Sequence, residues 1–324
     1  MIPAQDRSGL PLSQFIGADK IAEGVRYWLR YAGYSKPLWA FGNGEDTRLV
    51  AISRHRSACP VYVLQNSGID STSDLRGKRL CIFRDAGLKL DYNRIIYLQT
   101  YAAALSGAGL RFEDVQLVDF GMDRDTFMRR AGVDYGRLND TPEGYGAPIN
   151  LFTEIARISV ELLLTGKVDA FASNLPQGVA EFLGLHKVYD PALENDVNAA
   201  HDLRCLVVSG PLARERRDDL VAIVSGLLRA GDWARQSGVE KTSQTLARDL
   251  RVERDVMMLD TSDIIKGMAI DLSPDDIAML EQKKRFLIEN GLLRNDIALA
   301  DWADPTIVRD ARALANTAEG ALAS

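Results

Sequence analysis

The chain has 324 residues, of which 46% are hydrophobic and 26% are charged, and its formal net charge is -6. Because a single hydrophobic core stops growing at roughly 250–300 residues, this length favours two domains. The negative net charge argues against nonspecific binding to nucleic acid or to an anionic membrane surface.

Neither a signal peptide nor a membrane span is predicted. Residues 1–20 lack a basic start followed by a continuous apolar stretch. The longest apolar runs, such as 162–164, fall far short of the roughly 18 residues that a span needs. We therefore expect a cytoplasmic protein, or a periplasmic one if the natural chain begins further upstream.

The cysteines and histidines form no recognisable metal site. Cys59, Cys81 and Cys205 are far apart, without a C-x-x-C pair, and two of them lie in apolar runs typical of buried residues. His55 lies four residues before Cys59, but this spacing favours core packing over a thiolate pair. The sequence lacks the G-x-G-x-x-G, Walker A, G-x-S-x-G and H-E-x-x-H patterns. We expect neither a metal nor a cofactor.

Short β-rich runs alternate with helical patterns through the first two thirds of the chain. No first strand is recognisable in residues 1–20. The alternation predicts βα units and a mostly parallel sheet. The predicted strands are 61–64, 80–83, 115–118, 168–172 and 206–209, with helices at 94–106 and 151–164.

The last third is predicted to be mainly helical. Asp218 and Asp219 precede an amphipathic segment, and acidic residues in a first turn complement the helix dipole. Ser273 followed by Pro274 and two acidic residues predicts a helix start, with Gly291 just past its end. His201 and Asp202, a candidate general-base pair, are predicted to lie in an exposed crossing segment between two lobes.

Two segments resemble the nitrate, sulfonate and taurine substrate-binding proteins of ABC transporters. They are D-L-R-G-K-R-L at 74–80 and L-L-T-G-K-V-D-A at 163–170. The resemblance implies a two-lobe periplasmic-binding-protein type II fold, an α/β architecture of mixed sheets flanked by helices, with a helical C-terminal third. Lobe I would comprise residues 1–79 and 205–324, lobe II residues 80–204, and a ligand would bind in the cleft between them.

A longer resemblance, from about residue 30 to 310, is to the 2'-hydroxybiphenyl-2-sulfinate desulfinases, which share this fold. It implies a cysteine, a histidine and an arginine around a sulfinate. Arg30-Tyr31-Ala32-Gly33 matches the arginine motif, whereas Lys20 stands at the position of the histidine and no upstream cysteine is present. No catalytic residue is therefore assigned. The segments that carry the resemblance are 37–40, 46–49, 114–118, 232–235, 285–290 and 298–303.

Three residues near the start of this resemblance are candidate ligand contacts. The planar fork of Arg30 fits the oxygens of a sulfonate, sulfinate or carboxylate, although the residue also fits a helix surface. Gly33 would let backbone N–H groups approach an anion, or would end a helix. Trp39 adjoins Arg30 in the predicted cleft, although tryptophans more often serve packing.

Four further candidates follow predicted strands. Arg84 and Gly87 are predicted at a helix N-terminus facing the cleft, where free N–H groups attract anions. Ser173 and Asn174 follow the strand at 168–172, and their short polar side chains would hydrogen-bond a ligand. A plain turn is the alternative for both segments.

The leading functional hypothesis is a substrate-binding protein whose lobes close over a small organic anion, such as a sulfonate, a sulfinate or an aryl acid. The alternative is a desulfinase-like hydrolase that cleaves the C–S bond of an aryl sulfinate. A third hypothesis is that the sequence is an N-terminally truncated gene product. We expect a monomer that does not bind nucleic acid, with an ABC permease as its partner if the protein is exported.

Overall fold

The computed structural model describes residues 26–56, 59–85, 90–122, 147–175, 177–191, 193, 201–250, 262 and 264–322. These residues divide into two compact units. The chain crosses from the first unit to the second after Arg56 and returns at His201. The sequence prediction placed these crossings after residues 79 and 204.

The first unit contains a four-stranded sheet. Its strands are β1 (Leu29–Gly33), β2 (Thr47–Arg56), β8 (His201–Ser209) and β9 (Ile270–Asp271), in the order β1-β8-β2-β9. Every described pairing between these four strands is antiparallel. The expectation of a mostly parallel sheet is wrong for this unit, because β8, which begins where the chain returns at His201, pairs antiparallel with both β1 and β2.

The second unit contains a five-stranded mixed sheet. Strand β4 pairs in parallel with β5 and β6, and β3 pairs antiparallel with β6 and β7. The pairing of β3 draws the chain after Arg56 into this unit, well before residue 79. The strands are β3 (Val61–Leu64), β4 (Arg79–Asp85), β5 (Gln116–Met122), β6 (Ala170–Ala172) and β7 (Leu185–Tyr189), in the order β5-β4-β6-β3-β7.

Helices flank both sheets, and the described part after residue 210 is mainly helical, as the sequence predicted. None of the helices in the described ranges combines the length and apolar character needed to cross a membrane. The helices are α1 (Ser35–Gly42), α2 (Tyr92–Gly107), α3 (Ala147–Leu164), α4 (Gln177–Phe182), α5 (Gly210–Glu215), α6 (Arg217–Leu250, interrupted at Gly238), α7 (Pro274–Glu289), α8 (Leu299–Trp302) and α9 (Pro305–Leu322).

The core of the first unit joins its C-terminal helices to the sheet. Trp302 is fully buried, stacks on Phe41 with ring centroids 5.6 Å apart, and donates a 3.0 Å hydrogen bond to Thr47 Oγ1. Leu49 of β2 forms a parallel bridge with Ala303. Burial of aromatic surface and a satisfied indole N–H together fix α8 against β2.

The core of the second unit is organised around Tyr101. Its buried hydroxyl donates a 2.6 Å hydrogen bond to the carbonyl of Cys81 on β4 and accepts a 3.1 Å bond from the N–H of Ala172 on β6. One side chain of α2 therefore links two parallel strands, and both backbone groups are satisfied away from water.

Candidate functional site

Arg30 lies in strand β1, not on a helix surface. It pairs with Val207 of β8, and its neighbour Tyr31 pairs with Leu206. Because successive side chains of a strand point to opposite faces, Arg30 and Tyr31 project to opposite sides of the sheet.

The Arg30 side chain is half-buried, and its guanidinium keeps its hydrogen-bonding capacity. Burial lowers its pKa to about 10, while the nearby groups of Cys205 and Glu45 act in the opposite direction. The side chain therefore stays protonated at neutral pH. Among the described residues, no hydrogen bond or ion pair of this guanidinium is recorded. A partly buried cation of this kind is stabilised when an anion supplies the missing partner.

Gly33 and Trp39 lie close to Arg30 in the chain and in the same unit. Gly33 is the last residue of β1, where it pairs with Arg204 in extended backbone and does not adopt a positive φ. It therefore neither ends a helix nor forms a special turn. Trp39 is a partly buried residue of α1, and its carbonyl accepts a 2.7 Å hydrogen bond from the Asn43 side chain.

Arg84 does not lie at a helix N-terminus, and this part of the prediction is wrong. It belongs to β4, which runs on to Asp85, and α2 begins only at Tyr92 with the Asp91 carboxylate capping it. The Arg84 guanidinium lies 3.3 Å from the Asp119 carboxylate and 3.7 Å from that of Asp91. Acidic partners within the unit therefore already neutralise this cation. Gly87 lies outside the described residues.

Ser173 and Asn174 directly follow β6, as the sequence predicted. Ser173 is buried and its N–H donates a 3.1 Å bond to the carbonyl of Pro60, whereas Asn174 is exposed. Since β4 and β6 are parallel neighbours, their carboxyl ends meet at one edge of the sheet. The structure therefore brings Arg84, Ser173 and Asn174 to the same edge of the second unit.

Tyr31, Ser53 and His55 form a polar cluster in the first unit that was not predicted from the sequence. The hydroxyls of Tyr31 and Ser53 hydrogen-bond each other, and they lie 2.7 Å and 2.8 Å from His55 Nε2. Desolvation, and then the charge of Arg204, lowers the pKa of His55, so its imidazole is neutral at pH 7. The alternation of Ser53 and His55 along a strand was readable, but Tyr31 joins them only through the register of β1, β8 and β2.

The three cysteines lack the character of activated nucleophiles. Burial raises the pKa of the Cys59 and Cys81 thiols to about 12, and burial also raises that of Cys205. The hydroxyls of Thr100 and Ser159 hydrogen-bond Cys59 and Cys81 and offset only part of this effect. Because the thiolate is the reactive form, a raised pKa works against nucleophilic attack by these three cysteines at neutral pH.

The sequence is similar to that of a sulfinate desulfinase. No family model matches the sequence. The chain is 28% identical over 313 residues to 2'-hydroxybiphenyl-2-sulfinate desulfinase of Rhodococcus erythropolis, a match that covers 87% of this chain and 80% of the relative. The chain is a homologue of the desulfinases.

Solved structures show the fold of this desulfinase homologue. A cysteine-to-serine mutant of the desulfinase DszB, in complex with biphenyl-2-sulfinic acid, superposes with a TM-score of 0.68 at 23% identity, covering 94% of this chain and 89% of that one. The periplasmic aliphatic sulphonate binding protein SsuA from Escherichia coli gives a TM-score of 0.56 at 18% identity, covering 85% and 74%. The predicted periplasmic-binding-protein-like fold, close to the desulfinase branch, is confirmed.

Proposed function

We propose that this desulfinase homologue binds a small organic anion carrying a sulfonate or sulfinate group, in the manner of a substrate-binding protein, and that Arg30 holds the anionic group. The observation that carries this proposal is the half-buried Arg30 guanidinium in strand β1, for which the described residues provide no ion-pair partner. Its planar fork offers parallel N–H donors that match two oxygens of such a group.

The relatives support this ligand class. DszB was crystallised with biphenyl-2-sulfinic acid, SsuA from Xanthomonas axonopodis was solved bound to MOPS, and SsuA from Escherichia coli binds aliphatic sulphonates. All three take an organic molecule that bears an oxidised sulfur group. The match between this ligand class and an unpartnered arginine motivates sulfinates and sulfonates as the first ligands to test.

A second candidate function is cleavage of the C–S bond of an aryl sulfinate with release of sulfite. The 28% identity to the Rhodococcus desulfinase favours it. Against it stand the protonated thiols of Cys59, Cys81 and Cys205, none of which has the lowered pKa of an activated nucleophile. Binding without turnover is therefore the leading proposal.

Titration calorimetry with biphenyl-2-sulfinate and with an alkanesulfonate tests the binding proposal. We expect Arg30→Gln to weaken binding at least about tenfold, or about 1.4 kcal/mol, because hydrogen bonds to charged groups contribute about 1.5–3 kcal/mol. Arg48→Gln is the matched control. Arg48 is also a strand arginine, but its guanidinium donates to the Thr47 carbonyl and lies 3.7 Å from Asp46. Equal affinities for both variants would contradict the role of Arg30.

A sulfite-release assay on the same samples separates the two functions. Binding of biphenyl-2-sulfinate without sulfite formation supports the binding protein. Sulfite formation that Arg30→Gln abolishes supports the hydrolase. If neither compound class binds to the unmodified chain, both candidate functions fail.

A further inference from the structure

A cavity of about 610 Å³ lies within the first unit, apart from Arg30. Its apolar wall includes Ile52 of β2, Ile270 of β9 and Ala315 of α9, which are all buried, and Leu228 of α6. This volume is within the roughly 300–1,000 Å³ range of sites that hold small molecules. The cavity is therefore large enough for a small ligand with an apolar body.

Charges of both signs surround this apolar wall. Four basic and three acidic side chains line the cavity, and each acidic residue is close to an arginine. Arg235 pairs with Asp232, Arg54 Nε lies 2.8 Å from Asp276 Oδ1, and Arg312 Nη2 lies 3.3 Å from Asp271 Oδ1. The net charge of the lining residues is therefore close to zero, although seven of these residues carry a charge.

Arg54 has hydrogen-bond donors that its contact with Asp276 does not use. Its partner Asp276 is buried, and the second carboxylate oxygen of Asp276 accepts hydrogen bonds from the N–H and the hydroxyl of Ser273 at 2.9 Å and 2.6 Å. Arg54 contacts this carboxylate through Nε, and no partner of its two terminal nitrogens is recorded among the described residues. These two nitrogens remain available to an anionic group.

Asp271 has a carboxylate oxygen, Oδ2, that its contacts with Leu272 and Arg312 do not use. Its Oδ1 accepts a 2.8 Å hydrogen bond from the N–H of Leu272 and lies near Arg312, whereas its Oδ2 has no recorded partner in the described part of the chain. The Asp271 side chain is 47% exposed, so a ligand can reach it. The cavity therefore offers a cationic fork and an anionic oxygen beside one apolar wall.

We propose that this cavity binds a small zwitterion with an apolar body, of the kind represented by an aliphatic amino acid. The carboxylate of the ligand accepts hydrogen bonds from the terminal nitrogens of Arg54, the ammonium group pairs with Asp271, and the apolar body packs on Ile52 and Ile270. A ligand with an anionic group alone would bring its charge close to Asp271 and leave the Oδ2 atom of that carboxylate without an added partner, and like charges in close approach are unfavourable. A zwitterion provides a partner for both Arg54 and Asp271 and adds no net charge to the cavity.

Titration calorimetry on the full chain with three matched compounds tests this site. L-leucine carries both charged groups, 4-methylpentanoate lacks the ammonium group, and 3-methylbutylamine lacks the carboxylate. We expect each singly charged compound to bind at least about tenfold more weakly than L-leucine. Binding of 4-methylpentanoate as tight as that of L-leucine, or no binding of L-leucine at millimolar concentration, would overturn the proposal.

Variants locate the binding. We expect Asp271→Asn, which keeps the shape of the side chain, and Arg54→Lys, which keeps the charge but loses the fork, each to weaken L-leucine binding at least about tenfold. Asp275→Asn is the matched control, because Asp275 is an exposed neighbour that does not line the cavity. Arg30→Gln serves as a second control that separates this site from the sulfonate proposal. If both cavity variants bound L-leucine with the affinity of the unmodified chain, the assignment of the ligand to this cavity would be wrong.

Discussion

At the scale of single residues, neighbours in one strand serve different purposes. Arg30 projects to one face of the antiparallel sheet, desolvated and without a recorded partner in the described part of the chain. Tyr31 projects to the other face, where it joins Ser53 and the His55 imidazole. The cluster and the Arg30 side chain therefore lie on opposite faces of the sheet.

The His55 ring is held in place by close contact with Gly267. A Cβ atom at position 267 would lie 2.4 Å from His55 Cε1 and 2.5 Å from Nδ1. We expect Gly267→Ala to lower the free energy of unfolding by about 1–3 kcal/mol, as overpacking does, in urea unfolding followed by circular dichroism.

Gly226→Ala is the control for this substitution. Gly226 lies in α6 with no atom within 4 Å of a built Cβ. An alanine there stabilises the helix by about 0.5–1 kcal/mol. If Gly267→Ala were as stable as Gly226→Ala, the packing of His55 against the backbone would be wrong.

At the scale of elements, the C-terminal helices are set by local signals. Helix α7 begins after Ser273, whose hydroxyl accepts a hydrogen bond from the Asp276 N–H, while the Asp276 carboxylate accepts from the Ser273 N–H. Gly291 takes a φ of +66° just past the helix end, a conformation that favours glycine. Both ends were predicted, and both predictions are confirmed.

Removal of the Ser273 hydroxyl should destabilise α7 and loosen the environment of Asp276. We expect Ser273→Ala to lower the free energy of unfolding by about 1 kcal/mol, within the range of about 0.5–2 kcal/mol for lost N-caps. Ser106→Ala, at an exposed position in the last turn of α2, should change stability by less than about 0.5 kcal/mol. Equal melting temperatures for the two variants would contradict the capping role.

At the scale of the whole molecule, basic partners stabilise the ionised form of many carboxylates. Hydrogen bonds from Arg79, Arg214 and Lys284 are the main reason that the pKa values of Asp169, Asp46 and Asp296 are lowered. His55 also has a lowered pKa, through desolvation first and then the charge of Arg204. In each case the unfolded chain binds protons more readily than the folded one, so stability decreases as pH falls.

We expect the free energy of unfolding to decrease in two stages on acidification. The first begins below about pH 6.5, where an unfolded histidine is protonated and folded His55 stays neutral. The second begins below about pH 4, as the paired carboxylates become protonated, and 1 M NaCl should weaken it because exposed ion pairs are screened. Urea titrations at stepwise pH values measure both stages.

Two variants identify the origin of the first stage. His55→Gln should remove it, whereas His186→Gln, at an exposed position, should leave it in place. A first stage that persists in His55→Gln would assign it to another group. A second stage unaffected by salt would contradict the role of the surface ion pairs.

Much of the fold was predictable where local sequence suffices. The strand at 61–64 coincides with β3, and the helix predicted at 94–106 lies within α2. The resemblance segments predicted the fold that the solved desulfinase and sulfonate-binding proteins share. Arg30 was selected because Arg30-Tyr31-Ala32-Gly33 matches the arginine motif that the desulfinase resemblance implies.

The sequence by itself located five of the nine described strands and both ends of α7, because caps, turn residues and alternation act over a few neighbours, whereas β1, β2, β7 and β9 were not predicted. The family resemblance selected Arg30. Only the tertiary structure decided that β8 pairs antiparallel with β1 and β2, that Arg84 lies within β4 beside acidic partners, and that Arg54 and Asp271 share a cavity. These features depend on pairing between segments distant in the chain. Strand register and side-chain desolvation exist only once those segments have come together.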